Sequence, residues 1–216
     1  MSDLMLDVGL ANELKLAFRR EGNRESNWTG ERIKRLADTP GLLSSVLDVM
    51  DGNAEIKPIP FVRRLSTEPV VIPETDGSRT IAGALDVFPN FIDGDFVNQG
   101  LNVPDEPTLE MKVVVDEQIR DGKSRQIYDG YGVPLERLCL TQHQIVLFFE
   151  REAEKYLRGD GWAGFRFLVK RKSDGKFFVV YACRRADGDR KAYVDPLSDE
   201  GVWFAGNRRR FVLPQL

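Results

Sequence analysis

Apolar residues recur along this chain with two different periods. Near the start the spacing is helical: "LANELKLAFRR" puts Leu10, Leu14, Ala17 and Phe18 on one face, with Gly22 as a stop. Thr29 can cap "GERIKRLA", whose apolar positions are Ile33, Leu36 and Ala37. Thr39-Pro40 then predicts an N-cap with proline at N1, opening "GLLSSVLDVM" and closing at Gly52. Helices this short persist only by packing together, so residues 1–57 read as a three-short-helix head.

Toward the other end the period falls to two. "GFRFLVKR" alternates Phe165, Phe167 and Val169 against Arg166, Leu168 and Lys170, as a half-buried strand does. An Asp-Gly turn at Asp174-Gly175 leads into "FFVVYACRR", with Phe177, Val179, Tyr181 and Cys183 on one side. A second Asp-Gly, Asp187-Gly188, precedes "RKAYVDPL", and "VWFA" and "RRFVL" follow. The expected architecture for residues 109–216 is α+β: a helix over 142–158 packed on an antiparallel β-meander over 163–213.

Between head and tail the pattern breaks down. Residues 58–108 carry Pro58, Pro60, Pro69, Pro73, Pro89, Pro104 and Pro107, and read as an irregular proline-rich linker or cap with short edge strands. "TLEMKVVVDEQI" fits either period; its β-branched Val113 to Val115 favour a strand.

Composition narrows the class without naming a role. With 42% hydrophobic and 30% charged residues the chain is far from the disordered regime. No apolar run is long enough to span a bilayer and no basic leader opens the chain, so a cytoplasmic protein with no membrane partner is expected. The net charge of −3 hides an asymmetry: residues 1–140 hold 16 Lys/Arg against 24 Asp/Glu, and residues 141–216 hold 15 against 10. The basic back half is the side expected to meet an anionic partner, or the front half itself.

Candidate chemistry centres first on "CLTQHQIVLFFE", which holds the single histidine, His143, four residues after Cys139. Thr141 and Gln144 have the spacing of a capping box, with Leu140 and Ile145 as its hydrophobic staple. That makes His143 a residue of the first helical turn, with no motif-placed acid to orient it as a base. One histidine and two cysteines 44 residues apart make no metal-finger spacing. Asp93 and Asp95 in "FIDGDF" start like a calcium loop, but Asn98 and Pro104 stand where its glycine and glutamate belong. Glu110-x-Lys112 has the form used by metal-dependent nucleases, with Asp93 or Asp95 as the needed partner carboxylate. The chain has neither a phosphate loop nor a nucleophile elbow, and no catalytic residue, metal or cofactor is assigned.

The remaining signal is cationic and aromatic. Arg184, Arg185, Arg208, Arg209 and Arg210 lie near Trp203 and Phe204 in sequence, a combination that grips phosphates and stacks bases, or else blunts strand edges and pairs with Asp195, Asp199 and Glu200. In the head, the third helix offers only Ser44, Ser45 and Asp48 on its polar side, a poor surface for reading base edges.

"GLANELKLAFRR", "IKRLAD" and "GNAEIKP" resemble the opening of a group of small uncharacterised proteins common in ultra-small bacteria. "LTQHQI", "GDGWAGFRFLVK", "FFVVY" and "VWFAGNRRRFVLPQL" resemble the close of the same group. The resemblance implies bacterial origin and a head and tail around a variable centre; it carries over no activity, ligand or catalytic residue. The expectation is a non-catalytic binding or interaction module with an unknown protein partner. The alternatives are a nucleic-acid-binding protein using the basic C-terminal sheet, and a metal-dependent nuclease-like enzyme.

Overall fold

The computed structural model describes residues 30–54, 60–198 and 200–216. The helix expected over residues 10–20 lies outside them, as do the Thr29 cap and Asp199. The chain divides into two compact units, Met1–Pro58 and Ile59–Leu216.

In the first unit, α1 (Gly30–Asp38) and α2 (Leu42–Met50) are described. Thr39 does not open α2 as its spacing suggests. Its hydroxyl donates back to the Arg35 carbonyl at 2.6 Å, satisfying one of the orphan carbonyls that end α1, and Gly41 at φ 77° becomes the N-cap of α2. Gly52, at φ 75°, turns the chain out of α2, and Asn53 and Ala54 donate to the Asp48 carbonyl.

The second unit is mixed α/β, built on a large, mostly antiparallel sheet with few helices. Its elements are β1 (Val62–Arg64), β2 (Val70–Ile72), β3 (Phe91–Ile92), α3 (Asp95–Asn98), β4 (Met111–Gln118), β5 (Gly122–Lys123), α4 (Ser124–Asp129), α5 (Gln142–Glu152), β6 (Trp162–Lys170), β7 (Phe177–Arg185), β8 (Arg190–Pro196), β9 (Val202–Trp203) and β10 (Arg210–Pro214). The main sheet has eight strands in the order β1-β4-β10-β6-β7-β8-β3, with β2 beside β1 on the outer edge of β4. Strands on both sides of residue 108 thus pair in one sheet, so no unit boundary falls where 58–108 was divided from 109–216.

The meander expected over 163–213 holds for β6, β7 and β8 only. β9 leaves to pair with β5, and β10 returns to lie between β4 and β6, antiparallel to the first and parallel to the second. The physical reason is legible in β10 itself. Phe211, Val212 and Leu213 are apolar on both sides and are all at most 1% exposed, which suits a central strand and not a half-solvated edge.

Each face of the sheet packs its own core. On the first face, Phe165, Phe167, Val169, Phe178, Val180, Val113, Val115 and Val212 meet α5 through Ile145, Phe148 and Phe149. The proline-punctuated stretch completes this core with Ile72, Ile81, Val87, Phe88 and Phe96; Phe88 lies 4.8 Å from Phe149, ring centre to ring centre. On the second face, Leu168, Val179, Phe211 and Leu213 are covered by Ile127 and Tyr128 of α4 and by Leu135 and Leu138 of a 3-10 turn.

The start of α5 joins these parts. Thr141 and Gln144 form the capping box in both directions: Gln144 N donates to Thr141 Oγ1 at 3.3 Å and Thr141 N to Gln144 Oε1 at 2.9 Å. Asp105, from the proline-rich stretch, accepts from Gln142 N at 2.8 Å. The Gln142 amide accepts from Ile81 N and donates to the Val103 carbonyl, each at 3.1 Å. Gly77 allows the loop carrying Asp105 to approach, since a Cβ there would lie 2.2 Å from the Asp105 carbonyl oxygen.

Thr141→Ala is expected to lower unfolding free energy by about 1 kcal/mol in urea titrations. Gly77→Ala, at φ 74° with rigid backbone in the way, should cost about 2 kcal/mol or more in the same assay.

Candidate functional site

Alternation on β6 and β7 decides what the second face presents. Because Phe165 and Phe167 enter the first core, Trp162, Gly164 and Arg166 fall on the opposite face, where α4 covers only the Leu168 end. The hairpin register sets Arg166 directly across from Tyr181, and Tyr181 across from Tyr193 on β8. The result is a row of rings running over four strands. Phe91 of β3 lies 5.0 Å from Tyr193, Tyr193 stacks on Tyr181 at 5.7 Å and 20°, and Trp162 stands 6.3 Å from Tyr181. Phe91 is exposed, and Tyr193, Tyr181 and Trp162 are half-buried.

Gly164 makes room for the row. A Cβ at this position would come within 2.5 Å of the Trp162 ring and 2.9 Å of Tyr181, so only glycine lets both rings lie across the strand.

Cations interleave with the aromatics. The Arg166 guanidinium sits 3.5 Å from the Tyr181 ring centre and 5.5 Å from that of Trp203; Arg209 lies 5.2 Å over Trp203, and Arg158 5.2 Å over Trp162. Their counter-charges differ. Arg158 is paired with Asp160 at 2.6 Å, which holds that carboxyl below its usual range. Arg166 has no ion-pair partner among the described residues and reaches only its neighbour's carbonyl, Phe165 O, at 3.5 Å. Burial, with Arg209 nearby as a second positive charge, pushes its pKa down to about 10. Arg209 is lowered for the same reason; it donates to the Phe204 carbonyl at 3.2 Å. Between these groups is a cavity of about 400 Å³ lined by Arg158, Trp162, Arg166, Tyr181, Asn207 and Arg209, among others. Arg208, which turns the chain between Asn207 and Arg209, has φ 47°; among the described residues it is the one non-glycine in the left-handed region.

The six residues singled out from the sequence do not form one cluster. Trp203 and Arg209 belong to this face. Arg184 and Arg210 alternate to the other side, where Arg184 pairs with Glu154 at 3.0 Å, and Arg210, 6% exposed, donates to the Tyr156 carbonyl. Arg208 turns to Glu117 at 3.5 Å, and Arg185 meets Asp189 loosely at 4.0 Å. Arg166, Tyr181, Tyr193 and Phe91 were missed. The available signals were the polar parity of β6, the Asp-Gly register and a glycine inside a strand.

The catalytic alternatives do not assemble. Cys139 Sγ donates to the Leu135 carbonyl at 3.3 Å, and burial pushes its thiol up to about 12. His143, 9% exposed, instead faces Asp76, with Nδ1 3.1 Å from the carboxylate but off the line of a hydrogen bond. Glu110 precedes β4 and Lys112 lies within it, while Asp93 and Asp95 follow β3 with four strands intervening, a separation of roughly 24 Å. The nuclease constellation is therefore corrected: these groups share no cleft. Asp93 and Asp95 serve a turn, Asp93 Oδ1 accepting from Asp95 N at 3.0 Å. Among the described residues no three metal-ligating side chains cluster, and no helix is long and apolar enough to cross a membrane.

Comparison with protein-family models, curated proteins and solved structures finds no match for the chain.

Two outcomes test this geometry. Arg166→Met is expected to leave the melting temperature unchanged or higher, because desolvating an unpaired guanidinium outweighs its stacking on Tyr181; a loss above about 3 kcal/mol would make Arg166 a structural keystone. Both thiols, raised by burial, should resist iodoacetamide at pH 8 in the native protein and react once it is unfolded. A fast native reaction at Cys139 would revive the Cys/His pairing.

Proposed function

We propose that the protein is a non-catalytic binding module of the bacterial cytoplasm whose open sheet face takes single-stranded nucleic acid. The observation that carries this reading is the continuous aromatic row Phe91–Tyr193–Tyr181 on one sheet face, ending on Arg166, which has no ion-pair partner among the described residues. Rings spaced across adjacent strands offer successive bases a stacking surface, and base stacking is tolerant of sequence. Arg166, Arg209 and Arg185 flank the row and can meet the phosphates of a strand laid over it.

Single strands suit this face better than a duplex. The rings sit on strands, with no helix among the elements that carry them to enter a major groove, whereas unstacked bases of a single strand can reach side chains on a sheet face. Free, half-buried thiols at Cys139 and Cys183 fit a reducing compartment.

Fluorescence anisotropy with labelled 12-mer oligo-uridine and oligo-thymidine tests the reading. Tyr181→Ala and Tyr193→Ala should each weaken binding by about 1–3 kcal/mol. With about three phosphates engaged, the logarithm of affinity should fall against the logarithm of salt with a slope near −2. Absence of any anisotropy change at 50 mM salt and tens of micromolar protein, as an order of magnitude for weak non-specific binding, would sink it.

A further inference from the structure

The cavity at the end of the aromatic row is not explained by base stacking. We infer that it is a terminal-phosphate pocket: Arg166 and Arg209 hold the phosphomonoester at the end of a bound strand, so the face reads an end as well as a path. This inference rests on the single-strand reading above and specifies which part of the strand the protein favours.

Charge carries the first step. Arg158 is neutralised by Asp160 at 2.6 Å, but Arg166 and Arg209 share the cavity with no ion-pair partner among the described residues. Two part-buried cations that share one cavity, Arg209 adding to the positive charge felt by Arg166, favour a ligand with two negative charges. An internal phosphodiester brings one. A phosphomonoester brings nearly two at pH 7, together with three acceptor oxygens. Guanidinium forks suit such oxygens in bidentate fashion; with the faces taken by Tyr181 and Trp203 the edges are what meets a phosphate, Arg166 giving up one N–H to Phe165 O and Arg209 sharing its Nη groups with Asn207 and the Phe204 carbonyl.

Shape carries the second step. Tyr181 belongs both to the row and to the cavity lining, so a strand stacked over Phe91 and Tyr193 leads directly to the cavity. At about 400 Å³ the space is of small-ligand size, and the Trp162 ring and the Gly206–Asn207 turn stand along its far side. The turn that brings Asn207 and Arg209 to the lining has an unusual backbone conformation. The left-handed Arg208 sends its own side chain to Glu117, which leaves Asn207 and Arg209 on the cavity. In its favoured orientation the Asn207 amide oxygen accepts from Arg209 Nη1 and Nη2 at 3.2 and 3.3 Å, fixing the fork in place before any ligand arrives.

The test uses the full chain and three oligo-uridine 10-mers with an internal fluorophore, carrying a 5′-phosphate, a 3′-phosphate or hydroxyls at both ends. One phosphorylated form should bind at least about tenfold tighter than the hydroxyl form, and which one identifies the end recognised. The advantage should shrink as pH falls through about 6, where the phosphomonoester takes its second proton. Millimolar inorganic phosphate should erase the advantage and leave hydroxyl-ended binding in place. Arg209→Gln and Arg166→Met should bring the three oligomers within about twofold of one another, whereas Tyr193→Ala should weaken all three alike. Circular dichroism checks that each variant is folded; if one is not, the phosphate competition and pH series on the wild-type chain decide. Equal affinity for all three oligomers overturns the pocket and leaves the stacking platform standing. No binding to any of them at low salt overturns both.

Discussion

The start of α5 is the constraint on which the second unit depends. A helix that begins inside a protein must find partners for its first amides, and here they come from three places at once. Thr141 and Gln144 serve one another, and Asp105 takes the amide of Gln142. The Gln142 side chain then ties down the backbone of Ile81 and Val103. Satisfying the helix is therefore the same act as folding the proline-rich stretch. Once that stretch is pinned, Ile81, Phe88 and Phe96 close the first core and the sheet has a covered side.

With one side sealed, parity does the rest. Every residue of β6 and β7 that enters the first core sends its neighbours to the second face, where α4 is too short to cover all of them. Arg166 is buried there without a carboxylate, an arrangement that costs stability and is not needed to hold the strands together. Gly164, two residues before it, and the left-handed Arg208, next to Arg209, are further local costs. Three unfavourable choices around one cavity contrast with a surrounding scaffold whose caps, registers and cores agree with local preference.

Legibility in the sequence followed the range of the interaction. The capping box, the β6–β7 hairpin and the Gly52 stop were readable because each is set within a few residues. The short strand β2 was readable in "EPVVIP", but β1 and β3, of three and two residues, are too short to show a period, and their pairing is decided by β4 and β8 elsewhere in the chain. Thr39 misled because its hydroxyl could serve the carbonyl behind it as well as the amides ahead. For the site, clustering by sequence number brought together arginines that alternation then separated, with Arg209 on one face and Arg210 on the other. Tyr193 and Phe91, about 100 residues apart, meet only through the parallel pairing of β3 with β8.

The position of β10 also orders events in time. β4 and β6 are long and largely buried; β10 fills one edge of β4 and the Phe165–Arg166 part of one edge of β6, whose Leu168 end is met by Cys139 and Leu140. During synthesis these positions stay unpaired until Arg210–Pro214 has left the ribosome, so the core closes late and through contacts distant in sequence. A chain cut short just before that segment would bear two strand edges stripped of most of their pairing. Quality control in the cell would meet this chain as an aggregation hazard, because the central seam is laid down after both of its sides.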